Sequence, residues 1–202
     1  MSEYQAGKVI GFHSCDRELG LRLVNGQDEL KQSTNDWDWL GPGAYFWEDD
    51  PDRALQYAED CAAGRQINKI PIKVPIVVGA IIEMGNCLNL VETEALQILT
   101  AAYDGLKQVK EQAGEPMPIN RKKNRALDCA VIKYIHQANA DNGIPPYDTV
   151  RCPFTEGEPA YPGAMISSQL HVQICVLNPD CVQGYFLPKP IDKNNPYLNS
   201  TP

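Results

Sequence analysis

Three polar side chains stand where the chain otherwise reads as apolar strand. They are His13 after Val9-Ile10-Gly11-Phe12, Tyr45 inside Gly43-Ala44-Tyr45-Phe46-Trp47, and Gln173 inside Leu170-His171-Val172-Gln173-Ile174-Cys175-Val176. Their chemistry is recognition: an imidazole supplies a donor and an acceptor, a phenol supplies a ring face, and an amide supplies hydrogen bonds without charge. Each one alone also suits a satisfied core or sheet-edge group; the three on separate strands ask for more. The nucleophilic alternative is a cysteine hydrolase built from Cys15 or Cys175 with His13 or His171, and neither an oxyanion motif nor an orienting residue accompanies it. The seven cysteines are scattered without a C-x-x-C pair, and the three histidines (13, 136 and 171) are equally dispersed. The expectation is therefore reduced, mostly buried thiols, no disulfide framework and no metal.

The elements that must position these residues follow from periodicity. Val9 to Phe12 reads as a strand ending on His13, and Glu18 to Val24, with Leu19, Leu21 and Leu23, as a short helix before Asn25-Gly26. Gly43 to Trp47 reads as a strand feeding a helix with Asp50 as N-cap and Pro51 at its first position; Ala54, Leu55, Ala58 and Cys61 share one face. Pro75 to Met84 is a β-branched run expected to be a central strand, which Cys87 to Leu90 extends or pairs. Apolar positions 95, 99, 102, 106 and 109 mark a helix over 93–112 opened by Thr93, and a second helix is expected from about Asn124 to Asn139. The loop between them carries the basic cluster Arg121, Lys122, Lys123 and Arg125, read as solvated. Strands return at Thr149 to Cys152, at Leu170 to Leu177 and at Val182 to Leu187. Alternation puts His171, Gln173 and Cys175 opposite Val172, Ile174 and Val176. Strands at both ends with helices between them indicate an α+β fold.

The 202 residues, 43% hydrophobic and 22% charged, suit one domain over 1–188, with the Pro- and Asn-rich 189–202 expected as a flexible tail. A net charge of −8 argues against a general phosphate-backbone binder. No apolar run approaches the roughly 20 residues of a membrane helix, and Met1 to Lys8 lacks a signal-peptide layout, so a soluble cytoplasmic protein is expected.

In chain order the His, the Tyr and the third polar residue resemble the H-Y-E signature of the ADP-ribosyltransferase superfamily, in its diphtheria-toxin and poly(ADP-ribose) polymerase branch. Gly11-Phe12-His13-Ser14 corresponds to the strand-end His, with Ser14-Cys15 where the family has Gly-Thr or Gly-Ser. Leu40-Gly41-Pro42-Gly43-Ala44-Tyr45-Phe46 corresponds to the Gly-x-Tyr-Phe strand, and Pro51 to Cys61 to the helix after it. Gln173 to Val182 lies where the family has Glu at the head of a strand. Ser33 to Gly41, Tyr45 to Trp47, His171 to Val176 and Gly184 to Phe186 look like a bacterial toxin-like subgroup, and the resemblance spans about residues 9 to 187.

The resemblance implies two small, mostly antiparallel sheets with flanking and inserted helices around an NAD cleft. It implies NAD as co-substrate, mono-ADP-ribosylation of a macromolecular acceptor, protein or nucleic acid, and release of nicotinamide; a toxin of this kind can have an antitoxin partner. His13 would bind the adenosine-side ribose, the Ser14 backbone would clamp the nicotinamide amide, and Tyr45 would stack on the ring, with Tyr57 or Trp47 closing the other side. Arg53 lies where relatives carry a Ser that touches the amide. Gln173 replaces the Glu, with Gln169 as the alternative third position, and Glu156 is the candidate substitute carboxylate or acceptor-facing base. The competing functions are an NAD-binding or sensing module that has lost catalysis and an NAD glycohydrolase.

Overall fold

The computed structural model describes residues 7–65, 70–121 and 124–200. Its strands are β1 (Lys8–Asp16), β2 (Ala44–Glu48), β3 (Pro75–Glu83), β4 (Cys87–Asn89), β5 (Thr149–Phe154), β6 (His171–Val176) and β7 (Val182–Phe186). Its helices are α1 (Arg17–Val24), α2 (Pro51–Ala62), α3 (Thr93–Ala113), α4 (Ala126–Asp141) and α5 (Ile191–Asn194), with a 3-10 turn at Pro179–Cys181. The architecture is α+β. Of the basic cluster, Lys122 and Lys123 lie outside the described residues.

The strands form one sheet in the order β4-β5-β6-β2-β1-β3-β7, antiparallel except for β4 beside β5. The strands thus make one sheet, not the two small sheets that the resemblance implies, and within it the pairing of β1 with β2 is short. β1 pairs with β3 along its whole length, from Lys8↔Glu83 to Asp16↔Pro75. With β2 it pairs only at Gly11↔Glu48 and Phe12↔Trp47. Gly11 permits even this much: a Cβ there would stand 2.6 Å from Ile82 and 2.8 Å from Phe46, which close over it from the two halves.

Register sorts the side chains onto two faces. On the front, Tyr45, Cys175, Val150 and Leu88 pack under α4, which in turn carries α3, while Phe12, Trp47 and Val77 pack with Ala54 of α2. On the back, Phe46, Ile174, Val176, Ala80 and Ile82 form one core, and Cys15, Ile76 and Val78 meet Leu23 of α1. The alternation expected in β6 holds, but both of its sides are covered.

Three local expectations change. Cys87 to Leu90 does not extend β3: Gly85, at φ 57°, turns the chain, the Asp148 carboxylate accepts the Asn86 N–H at 2.8 Å, and β4 pairs with β5. Val109 of the expected apolar stripe is exposed; α3 turns Ala95, Ala102 and Leu106 into the core beside α4, with Ile98 and Leu99 half-buried against it. The C-terminal stretch expected as a flexible tail is docked. Asn195 is 2% exposed, its Oδ1 accepts the Val77 N–H at 2.7 Å and its Nδ2 donates to the Val77 carbonyl at 3.0 Å. Arg17 also donates to the Leu198 carbonyl, and Tyr197 to Glu59 of α2. Among the described residues no helix is long and apolar enough to cross a membrane.

Candidate functional site

The pairing of β1 with β2 stops next to His13. Asp49 donates its N–H to the Ile10 carbonyl at 3.0 Å, so alternation turns the peptide groups of Ile10, Phe12 and Ser14 toward β2. The β1–β2 ladder ends at Phe12↔Trp47. Ser14 and Tyr45, which the same register would pair two residues further on, face each other outside the ladder. His13 spans it: its Nδ1 lies 2.8 Å from the Tyr45 carbonyl oxygen, and its ring lies against Phe46. A carbonyl only accepts, so Nδ1 carries a proton. Burial lowers the His13 pKa despite the opposing pull of that carbonyl, which keeps the ring neutral. Register therefore sets His13 on the back face, while Tyr45 and Gln173 are on the front.

Tyr45 is fixed by the turn that precedes it. Its hydroxyl accepts the Leu40 N–H at 2.9 Å and donates to the Gly41 carbonyl at 2.5 Å, and burial raises its pKa well above the ordinary value. Gly41 (φ 80°) supplies a conformation other residues rarely adopt, and a Cβ at Gly43 would stand 2.8 Å from the Val176 carbonyl oxygen. Both glycines are needed to lay the turn against β6. With the hydroxyl used up, Tyr45 has only its ring to offer a ligand.

The other front-face candidates converge. Asp50 caps α2 by accepting the Arg53 N–H at 2.9 Å, and the helix then carries Arg53 and Tyr57 over β2, where the Tyr57 and Trp47 rings lie 5.2 Å apart. Arg53 Nη2 pairs with Glu156 Oε2 at 2.9 Å, in a setting where the side chains are 11% and 23% exposed. The same carboxylate oxygen is 3.9 Å from Nε2 of His171, and that Nε2 is 3.1 Å from the Gln173 amide nitrogen. Phe154 lies against His171, Trp39 against Phe154, and Arg125 over the Trp39 ring. Gln169 contributes main chain, its carbonyl meeting His171 Nδ1 at 2.8 Å. The structure thus gathers Arg53, Tyr57, Glu156 and Gln173 around Trp47 and His171.

Two buried donors there have no partner among the described residues: Trp47 Nε1 and Arg53 Nε. Unpaired buried donors are costly, and together with the cationic guanidinium they suit a ligand rich in oxygen acceptors. NAD, with its carboxamide, ribose hydroxyls and diphosphate, fits that donor set.

The cysteine-hydrolase alternative loses its geometry. Burial pushes the Cys15 thiol up to about 12 and raises that of Cys175 as well, so both remain protonated at neutral pH. Cys175 Sγ faces the Gly41 and Pro42 carbonyls, and His13 and His171 are engaged elsewhere. Among the described residues no group of three or more His, Cys, Asp or Glu side chains is placed to hold a metal ion. Sequence reasoning weighed His171 only as a hydrolase base; its alternation onto the Gln173 face was the signal for its place here. It missed the Glu48–Arg151 pair, with contacts of 2.5 and 3.0 Å, which ties β2 to β5 across β6 on the back face. Comparison with protein-family models, with curated proteins and with solved structures gave no match, so what this site does is argued from its own chemistry.

Proposed function

We propose that the protein is an NAD-dependent mono-ADP-ribosyltransferase of toxin or defence type, transferring ADP-ribose to a macromolecular acceptor and releasing nicotinamide. The observation that carries this reading is the seam between β1 and β2. There the Ser14 peptide groups turn toward a strand that does not pair with them, beside His13, Tyr45 and the cluster around Trp47. An open strand edge suits a carboxamide, which donates and accepts as a peptide does. The Tyr45, Trp47 and Tyr57 rings supply aromatic surface for the nicotinamide. Positive charge develops on the ribose as nicotinamide leaves, and Gln173 and Glu156 supply the oxygens to face it. The amide carries no net charge and Arg53 holds Glu156, so transfer of one unit is favoured over chain growth.

A second reading, an NAD-binding module without turnover, is favoured by the same Arg53–Glu156 pair, since a carboxylate engaged by a guanidinium stabilises a cation less. One experiment separates them. The protein is incubated with NAD labelled in the adenosine moiety and a cell lysate, and the products are divided between nuclease and protease. Nicotinamide release with label on protein or nucleic acid supports the transferase and names the acceptor class. Nicotinamide release with label only on free ADP-ribose makes it a glycohydrolase, and saturable binding without release makes it a sensor.

A further inference from the structure

The contact between Gln173 and His171 decides which end of the amide faces the ring. Nδ1 of His171 lies 2.8 Å from the Gln169 carbonyl oxygen, so Nδ1 holds a proton. A neutral ring then has a bare Nε2, which only accepts. Gln173 stands 3.1 Å from that atom, so the group it presents is its NH2, and its Oε1 turns away from the ring.

The surroundings hold this arrangement. The His171 side chain is fully buried, with the Phe154 ring 5.9 Å away. The charged groups facing it are Glu156, 3.9 Å from Nε2, and Arg53, which engages the same carboxylate oxygen at 2.9 Å. The Gln169 carbonyl is placed in turn by its own residue, whose N–H donates to the Glu156 carbonyl at 3.1 Å.

We propose that His171 is a positioning residue: its bare Nε2 fixes the Gln173 amide with the carbonyl oxygen outward. The consequence for catalysis rests on the NAD reading. An amide oxygen directed at a ribose that is gaining positive charge returns part of the stabilisation a carboxylate would give, whereas a reversed amide would present its positive end. His171 thereby makes an uncharged residue usable at this position.

The test uses the full chain and begins without NAD. In 15N NMR at pH 7.5, His171 should show a protonated Nδ1 and a bare Nε2. The Gln173 side-chain NH2, identified by its disappearance in Gln173→Ala, should have one proton shifted downfield. His171→Asn keeps a donor for the Gln169 carbonyl but removes Nε2, and should return that NH2 signal to the range of solvent-exposed glutamines. Gln173→Glu leaves His171 in place and puts an acceptor-only group against Nε2, which should then become protonated at the same pH. A ring protonated at Nε2 in the wild type, or Gln173 signals indifferent to His171→Asn, overturns the proposal. With turnover, His171→Asn should lower the rate of nicotinamide release about tenfold, the scale of one hydrogen bond, while NAD affinity stays within about threefold. A wild type that neither binds nor cleaves NAD would defeat the NAD reading, and the NMR signals would still decide the role of His171.

Discussion

His13 and Tyr45, the expected ligand contacts, both do structural work that a mutational test must separate from binding. The buried imidazole, held below its ordinary value of 6.5, stays neutral in the folded chain. Below about pH 6.5 the unfolded chain takes up a proton at this position and the folded chain does not, so the His13 contribution to stability is complete above 6.5 and is lost as pH falls toward the lowered folded value. His13→Asn keeps an N–H donor for the Tyr45 carbonyl and cannot titrate. Thermal unfolding of the wild type between pH 7 and 5 should therefore weaken more steeply than that of His13→Asn; parallel curves would mean that His13 is not buried neutral. Tyr45→Phe removes the partner of both the Leu40 N–H and the Gly41 carbonyl. The expected loss is roughly 2 kcal/mol, with NAD affinity kept within about twofold because the ring remains. Loss of NAD binding in a folded Tyr45→Phe would show that the hydroxyl leaves the turn to meet the ligand.

At the level of elements, what the sequence disclosed was local and what it concealed was long-range. Asp50-Pro51 announced the start of α2, and the β-branched run announced β3, because capping and β-propensity act within a few residues. The Arg53–Glu156 pair joins residues 103 apart, and nothing in either segment names the other. The docking of the tail is hidden for the same reason: its composition suggests a loose end, and only the fold brings Asn195 to the edge of β3. There the side chain acts as a short strand, satisfying both peptide groups of Val77, while β7 begins pairing only at Gly79. Val77 is the β3 partner of Ser14, so the same amide steadies the strand behind the seam. Asn195→Ala leaves two buried peptide groups unsatisfied and should cost about 2–3 kcal/mol, or roughly 4–12 °C in Tm for a domain of this size. Asn195→Asp keeps the acceptor for the Val77 N–H but sets a second acceptor against the Val77 carbonyl, so it should not recover the wild-type Tm. An unchanged Tm in Asn195→Ala would show that the tail is not docked in solution.

For the whole molecule, the question is how one sheet can be open in its middle and still be one body. α4 covers the front of β4-β5-β6-β2, and α2 covers β1 and β3 and reaches Trp47 of β2. The back-face core of Phe46, Ile174, Ala80 and Ile82 draws on both halves and fastens them together behind the seam. The unpaired stretch is therefore confined to the residues beyond Phe12↔Trp47, where Ser14 faces Tyr45. Local protection should follow that geometry. In native-state hydrogen exchange without NAD, the Ser14 and Tyr45 amides should exchange far faster than Val78, which pairs with His13 in the closed β1–β3 ladder. Saturating NAD should slow the seam amides by tenfold or more and leave the β1–β3 ladder to follow only the global gain in stability. If Ser14 is as well protected as Val78 before NAD is added, the strands are closed and the seam is not a binding site. If NAD slows all amides equally, it binds somewhere other than between β1 and β2.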